Sequence, residues 1–424
     1  MLRNYYKIAI AVLKRRKFFT FISLFGISLT LTVLMVTTAF MDKIFSPAYP
    51  DVKRGRSLFI TKGSLTNTKE GWYNGSSVSF DFLYHYVTKL KTPEKVSIFT
   101  FSSSTNAYVN NRKLSIEYKF TDGAFWEVAE FKFLEGRSYT EPAVERADRV
   151  AVITARTRKR YFGDDAAVAG KYIELDNVNY RVIGVVADLP RSNRNYYSDV
   201  YLPYTVSKID YRRVGQPGIN KISLVDRYLG GFGAVMVARS ESEVPKMRQE
   251  FKQMLARSFK PDTEYDKLYI HADTPFEEFS RNIFGNDEST GLAATIGAGI
   301  LVVLLFLLLP AINLVNVNIT RIMERSSEIG VRKAFGASSK MLVYQFLVEN
   351  VILTLIGGLI GLVLSAISIY FFNQSSLLPD LDLALNWTVL GAGLLLCLLF
   401  GLLSGVYPAW RMSRFNVVHA LKSQ

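Results

Sequence analysis

The sequence predicts an α+β membrane protein: four transmembrane helices, with a large mixed α+β extracytoplasmic domain between helices 1 and 2. The first observation is that four windows of the 424-residue chain contain no charged residue. They are Phe18–Met41, Ser289–Thr320, Asn350–Pro379 and Leu383–Trp410. About 20 apolar residues cross a bilayer as a helix, so each window is long enough to span one. The second observation is a long charged segment, with strand and helix patterns, between the first two windows.

The windows divide the chain into segments with distinct expected roles. In order, we expect a cytoplasmic amphipathic helix (1–17), a first span (18–41), the extracytoplasmic domain (42–288), a second span (289–319), a cytoplasmic loop (320–340), a third span (341–372), a short outer loop (373–386), a fourth span (387–410) and a cytoplasmic tail (411–424).

The distribution of Lys and Arg predicts the orientation of these segments. Residues 1–17 carry six Lys or Arg, the 320–340 loop carries five and the tail carries three, whereas the 373–386 loop carries none. Cytoplasmic loops of membrane proteins have an excess of such residues. We therefore expect both termini and the 320–340 loop in the cytoplasm.

The net charge of +14 is explained by this cytoplasmic excess, which anionic lipid attracts. It does not indicate a nucleic-acid partner. In residues 1–17 the apolar residues repeat at helical spacing, which suits a helix at the inner membrane surface; the alternative is a frayed basic leader. The first span is too long for a typical signal peptide and lacks a small-residue cleavage site, so we expect an uncleaved anchor.

The segment 42–288 shows local patterns of both strand and helix. Arg149–Thr154 has a buried-strand pattern, and a helical stretch follows as far as Gly163. Tyr172–Leu175 and Tyr180–Val186 flank the turn residues 176–179 and predict a hairpin. A strand over Ala234–Ala238 precedes a helix over Val244–Phe259. These alternations predict an α+β domain.

The search for catalytic chemistry gives no candidate catalytic or metal-binding residue. No nucleophile-elbow, zinc-protease or phosphate-loop motif occurs, and the three His residues are scattered. The lone cysteine, Cys397, rules out an intrachain disulfide. We therefore predict that the chain is not an enzyme and holds no cofactor, and that any ATP is bound by a partner subunit.

Three residues of the third span are candidates for structural roles within the membrane. Gly357 and Gly361 lie one turn apart, a spacing that lets helix backbones approach closely, although background glycine is an equal alternative. Glu349 is the one acid near a span. It could serve in proton or ion transport, but without a basic intramembrane partner we expect it to cap the helix or pair with the basic loop.

The cytoplasmic loop has the composition of a protein-docking surface rather than of a basic connector. Glu328 and Arg332 are spaced as a favourable helix pair, Gly336 can end that helix, and apolar Ile329 and Val331 lie between the charges. The alternative is a loop that only satisfies the membrane topology.

With this loop the sequence resembles the permeases of the MacB/FtsX family of ABC transporters. Residues 328–337 are similar to that family's Glu-Ile-Gly-x-Arg-Lys-Ala-x-Gly-Ala signature, and Gln345–Glu349 follows at the family's distance. Lys119–Arg137 and Arg149–Pro203 resemble its periplasmic core domain, and Tyr407–Arg411 its closing motif. Asn416-Val417 departs from the family's usual Asn-Pro, so the turn there is not carried over.

The resemblance implies a permease subunit that transmits motion from a separate cytoplasmic ATPase subunit to its periplasmic domain. Its substrate would be an antibiotic, peptide or lipoprotein taken from the periplasm or outer leaflet of the bacterial inner membrane. Expected partners are that ATPase, a second permease in a homodimer or heterodimer, a periplasmic adaptor or outer-membrane protein, and membrane lipid. The residues that the resemblance assigns to ATPase coupling are Glu328, Ile329, Gly330, Arg332, Lys333, Gly336 and Ala337.

Two alternative functions remain open at this point. One is a non-transporting signal transducer that controls a cell-envelope enzyme through the same architecture. It would show a stable outer protein partner and no ATP-dependent efflux. The other is a membrane-anchored enzyme, whose activity the isolated segment 42–288 would retain.

Overall fold

The computed structural model describes residues 10–11, 15, 17–45, 49–109, 112–163, 167–191, 193–208, 223–302, 304–305, 331, 338–375, 383–395 and 398–399. They belong to two units. Phe45–Thr295 is called the head domain here, and Met1–Ile44 together with Ile296–Gln424 is called the helical unit.

The helices and strands of the described residues are numbered here in chain order. The helices are α1 (Lys17–Phe45), α2 (Phe80–His85), α3 (Phe125–Val128), α4 (Glu141–Glu145), α5 (Ala155–Phe162), α6 (Leu224–Tyr228), α7 (Val244–Ser258), α8 (Pro275–Ile283), α9 (Leu292–Val302), α10 (Ser339–Gln374) and α11 (387–395). The strands are β1 (Ser57–Ile60), β2 (Gly63–Asn67), β3 (Trp72–Val78), β4 (Lys95–Thr100), β5 (Ser103–Val109), β6 (Arg112–Thr121), β7 (Phe133–Gly136), β8 (Val150–Thr154), β9 (Tyr172–Leu175), β10 (Val178–Val186), β11 (Val200–Pro203), β12 (Leu229–Gly230), β13 (Phe232–Val237) and β14 (Lys267–Ile270).

Two helices of the helical unit are long and apolar enough to cross a bilayer. These candidate spans are Thr20–Lys43 within α1 and Leu347–Gln374 within α10. A shorter apolar helix, α9, opens the second charge-free window, and α11 lies in the fourth. The rest of those two windows lies largely outside the described residues, so the predicted four-helix topology is tested only at its first and third helices.

The head domain is built on one extended sheet with a mixed strand order. The main path runs β14-β2-β3-β13-β4-β6-β11-β8-β10-β7, with β1 paired to β13, β12 to β3, β5 to β6 and β9 to β10. Most pairs are antiparallel, but β8 pairs β10 and β6 pairs β11 in parallel. The helix α5 connects the parallel strand β8 towards β10, as such a crossover requires. The domain is therefore α+β.

Buried apolar residues form two large cores in the described part of the head domain, and a smaller cluster contains Leu65, Leu229 and Tyr265. The larger core is rich in aromatic side chains and includes fully buried Phe82, Phe99 and Phe125. The smaller core is mainly aliphatic and includes Ile153 and Val182. Continuous buried runs such as Val150–Thr154 arise because that strand is covered on both faces.

The structure bears out the predicted local elements and corrects one turn. The strand–helix pair at 150–162, the hairpin and the strand before α7 all form. The hairpin turn, expected over residues 176–179, contains only Asp176 and Asn177, with φ of 51° and 62°. Asp and Asn tolerate the left-handed conformation that a two-residue hairpin turn needs, so Val178 and Asn179 join the strand.

Candidate functional site

The predicted ATPase-coupling residues lie in a part of the chain that the structure does not describe. These are Glu328, Ile329, Gly330, Arg332, Lys333, Gly336 and Ala337. Their assignment therefore stays a prediction. The described residues do place the candidate membrane residues and both ends of the head domain's chain.

The candidate glycines of α10 lie against α1 within the helical unit. A Cβ added at Gly357 would be 2.8 Å from Cγ2 of Ile27. One added at Gly361 would be 3.0 Å from Cβ of Leu31, and the Thr32 hydroxyl donates to the Gly361 carbonyl at 3.3 Å. Both glycines thus sit where the two helices approach closely. Glu349 is buried, with an exposed fraction of 1%.

Two segments connect the head domain to the apolar helices, and they are bound to each other. We call residues 49–62 the outgoing segment and residues 271–291 the returning segment. Phe59 and Asp273 exchange backbone hydrogen bonds of 2.7 and 2.9 Å. The Thr61 hydroxyl donates to Oε1 of Glu278 at 2.7 Å, and the Lys62 ammonium donates to the Asn282 side chain. Chain positions more than 200 residues apart are therefore joined.

The returning segment is also anchored internally and to the body of the domain. Thr274 and Glu277 form a capping box at the start of α8, with Pro275 at its first turn. The Glu277 carboxylate accepts hydrogen bonds from both terminal nitrogens of Arg248 on α7, at 2.7 and 2.5 Å. Arg281 forms a second two-point ion pair with Asp273, at 2.7 and 3.1 Å. Bidentate pairs of this kind fix geometry as well as charge.

A third segment, residues 187–199 between β10 and β11, reaches the same place and is called the bridging loop. The Asn195 amide donates to Oε2 of Glu278 at 3.1 Å. The ring of Tyr196 packs edge-on against Phe59, with centroids 6.0 Å apart. Lys119 on β6 donates to the carbonyl of Asn195 at 2.8 Å. The bridging loop thus links β6, near the middle of the sheet, to both connecting segments.

Two buried charges border this junction, and burial shifts both towards their neutral forms. Burial lowers the pKa of the Lys119 ammonium to about 7. Burial raises the pKa of the Asp51 carboxyl to about 7, although Arg54, 3.9 Å away, opposes that shift. The described part of the chain contains no cluster of His, Cys, Asp and Glu able to hold a metal ion.

These junction residues were not among the candidates that the sequence indicated. The sequence did contain one indication of the returning segment's helix: Thr274-Pro275-Phe276-Glu277 has the spacing of a capping box before a helix. No local sequence pattern indicated the partners Thr61, Lys62 and Arg248. Their pairing depends on the tertiary fold.

Comparison with known families assigns both parts of the chain. A family model described as the MacB-like periplasmic core domain matches residues 20–254. A second, the FtsX-like permease C-terminal domain, matches residues 300–417. The second match includes residues 328–337, for which ATPase coupling is a prediction.

Three curated relatives are similar in sequence to most of this chain. A macrolide export ATP-binding/permease protein MacB from Bradyrhizobium diazoefficiens is 27% identical over 329 residues, covering 77% of this chain and 46% of the relative. The uncharacterized ABC transporter permease YknZ of Bacillus subtilis is 23% identical, covering 77% and 75%. The pyoverdine export ATP-binding/permease protein PvdT of Pseudomonas syringae is 25% identical, covering 72% and 42%.

The chain thus spans less than half of the two relatives whose names include ATP binding, and three quarters of the one named only as a permease. The first family model alone covers more than half of this chain, and the second follows it in the family's order. The chain therefore belongs to the MacB/FtsX family of ABC transporter permeases.

Proposed function

We propose that the chain is the permease subunit of an ABC exporter, in which ATP hydrolysis by a partner ATPase subunit drives motion of the head domain. The observation that carries the proposal is the junction of the outgoing and returning segments. Because Phe59 is bonded to Asp273 and Thr61 to Glu278, a displacement of either segment moves the other and the sheet with it.

The proposal includes the orientation that the charges predict. Both termini and the 320–340 loop lie in the cytoplasm of a bacterial cell, and the head domain lies outside the inner membrane. Cysteines replacing Ser192 and Ser376 should then react with an impermeant thiol reagent in spheroplasts, after Cys397→Ala. A cysteine replacing Ser338 should be protected, and its labelling would contradict the orientation.

The names of the relatives suggest the class of substrate. Two are named for export of macrolides and of pyoverdine, which are small molecules. We propose that this chain acts on an antibiotic-like molecule, a peptide or a lipoprotein presented at the periplasm or outer leaflet. A second permease copy and a periplasmic adaptor or outer-membrane protein complete the proposed assembly.

The proposed contact with the ATPase is the loop residues Glu328, Ile329, Gly330, Arg332, Lys333, Gly336 and Ala337. The charges would set pairing and register, while the glycines would permit close approach and a helix stop. An exposed ion pair contributes only roughly 0–1 kcal/mol, so Lys333→Ala alone should be mild. Gly336→Val should be severe, because a β-branched residue resists the positive φ at which a helix commonly ends.

The test is reconstitution of the chain with its co-expressed ATPase in proteoliposomes, with ATP hydrolysis and ATP-driven substrate export as readouts. We expect Gly336→Val, and Glu328→Ala combined with Arg332→Ala, to insert normally but lose ATPase association and export. Lys340→Ala removes a charge of the same loop outside the motif and serves as the matched control. If both motif variants retain association and export, the loop is only a connector and the coupling proposal is wrong.

A further inference from the structure

A surface cleft of the head domain is lined mainly by Lys53 of the outgoing segment, Lys95 at the start of β4 and residues 126–131 in and after α3. We call it the α3 cleft. Its volume is about 430 Å³, and small-molecule sites in proteins usually have volumes of roughly 300–1,000 Å³. Every residue that lines the cleft belongs to the head domain. The α3 cleft is therefore large enough to hold a small organic molecule.

Two aromatic side chains line the α3 cleft, and other rings hold both of them in place. Trp126 and Phe131 meet edge-on, with ring centroids 4.9 Å apart. Trp126 also packs against Tyr139 and Tyr201, at 5.3 and 5.4 Å, and Phe131 packs against Phe125 at 5.4 Å. Both rings are only half-buried. An aromatic surface that is already fixed binds the apolar part of a ligand with little further loss of side-chain entropy.

The charged side chains that line the α3 cleft are partly paired. The Lys95 ammonium lies 2.6 Å from Oε2 of Glu127. Glu94 accepts a hydrogen bond of 2.7 Å from Arg56, which does not itself line the cleft. These two carboxylates each face a cation, so the pairs attract a charged ligand only weakly.

Two opposite charges of the α3 cleft have no counter-ion among the residues that the structure describes. Lys53 donates to the backbone carbonyl of Glu127 at 2.7 Å, and a carbonyl does not neutralise an ammonium. Glu130 is exposed, and it is bonded through its backbone N–H, which donates to the Pro50 carbonyl at 2.9 Å. Lys53 and Glu130 do not pair with each other. The cleft thus offers one positive and one negative charge beside an aromatic surface.

We propose that the α3 cleft binds a short peptide with free termini: the peptide ammonium at Glu130, its carboxylate at Lys53 and its apolar side chains on Trp126 and Phe131. Each charge of such a ligand meets an opposite charge of the cleft, whereas a ligand with a single charge leaves one cleft residue without a partner. An ammonium near an indole ring is also attracted by the ring's negative face.

The inference names a substrate class for the proposed permease and in that sense rests on the proposed function. A peptide bound at Lys53 would contact the outgoing segment, which is bonded to the returning segment through Thr61 and Glu278. Binding itself needs neither ATP nor the ATPase. Loss of export with binding intact would contradict only the proposed function, and absence of binding with export intact would contradict only this inference.

The experiment uses the full chain, labelled with fluorotryptophan, in lipid nanodiscs without ATP, and the readout is the fluorine NMR signal of Trp126. The Trp126→Phe variant assigns that signal, and Trp72, which does not line the cleft, is the internal control. The probes are the dipeptide alanyl-phenylalanine, its N-acetyl form, its C-terminal amide and the form with both modifications. They share the same apolar side chains and differ in their terminal charges.

We expect the free dipeptide to shift the Trp126 signal saturably, at several-fold lower concentration than any modified form. Glu130→Gln should weaken binding of the free dipeptide and the amide several-fold, but not of the N-acetyl form. Lys53→Gln should weaken binding of the free dipeptide and the N-acetyl form, but not of the amide. Glu145→Gln removes an exposed charge outside the cleft and should change no affinity.

Three results would overturn the inference. Equal affinity for all the probes would show that the terminal charges are not recognised. A shift of Trp72 equal to that of Trp126, or no saturable shift of Trp126, would show that the cleft is not a binding site. If both variants weakened every probe alike, a changed shape of the cleft would be the cause, and the assignment of the termini to Lys53 and Glu130 would be wrong.

Discussion

At the scale of single residues, Lys119 is a buried side chain whose surroundings disfavour its charged form. It is fully buried on β6, its ammonium lies 5.2 Å from the ring centre of Phe99, and it donates to the carbonyls of Arg194 and Asn195. Burial lowers the pKa of the Lys119 ammonium to about 7, although the negative charge of Glu117 opposes that shift. The Lys119 side chain therefore binds the bridging loop, but keeping that side chain charged in its buried position costs free energy.

The pKa shift predicts how stability depends on pH. Between pH 7 and about 10.4 the unfolded chain keeps the Lys119 proton and the native domain releases it. The free energy of unfolding should therefore rise with pH in this window, by up to about 1.4 kcal/mol per pH unit from this group. The measurement is chemical denaturation of residues 45–295 at a series of pH values.

The matched comparison is with Lys119→Met, which keeps the apolar stem and removes the titrating group. Other groups also titrate in this window, so the quantity to compare is the difference in the free energy of unfolding between the two proteins. We expect that difference to change steadily from pH 7 to 10. A difference that stays constant with pH would mean that Lys119 is protonated throughout, and the prediction would be wrong.

At the scale of elements, the packing of α10 on α1 depends on glycines that leave no room for a side chain. At Gly357 an added Cβ would be 2.8 Å from Cγ2 and 2.9 Å from Cβ of Ile27, and that Cβ is attached to the backbone and cannot rotate away. Gly357→Ala should therefore destabilise the helix pair by about 1–3 kcal/mol. The measurement is thermal unfolding of the full chain in detergent.

The control for that substitution is Gly391→Ala in α11, because nothing lies within 4 Å of a Cβ added there. Both variants gain the same helix propensity from alanine, so their difference isolates the packing. We expect Gly391→Ala to be neutral or slightly stabilising. Equal melting temperatures for the two variants would show that the α1–α10 contact is not close in the membrane protein.

The elements also show what the sequence could and could not predict. Local sequence patterns predicted β8, α5 and α7, and the charge-free windows predicted α1 and α10. The turn at Asp176-Asn177 was predicted too long, since its length depends on which residues accept positive φ. The junction of Thr61 with Glu278 was missed because the partners are 217 residues apart. Nothing in either local sequence specifies the other.

At the scale of the whole molecule, the junction of the outgoing and returning segments predicts how the head domain moves during the transport cycle. Backbone bonds, the Thr61–Glu278 hydrogen bond and the Lys62–Asn282 contact act in parallel between the two segments. Separating the segments would break all of them together and expose Asp273, which is buried. Leaving several buried hydrogen-bonding groups without partners is costly, so the segments should move as one body.

A reversible cross-link between the outgoing and returning segments tests whether they move as one body. Lys62 and Asn282 are exposed and in contact, so Lys62→Cys with Asn282→Cys in the Cys397→Ala chain can be bridged by a short bifunctional thiol reagent without strain. We expect the bridged protein, reconstituted with its ATPase, to keep the ATP hydrolysis and export of the unbridged double variant. Mass spectrometry checks that the bridge has formed. Loss of export on bridging, restored by reduction, would mean that the segments must part in each cycle, and the single-body mechanism would then be excluded.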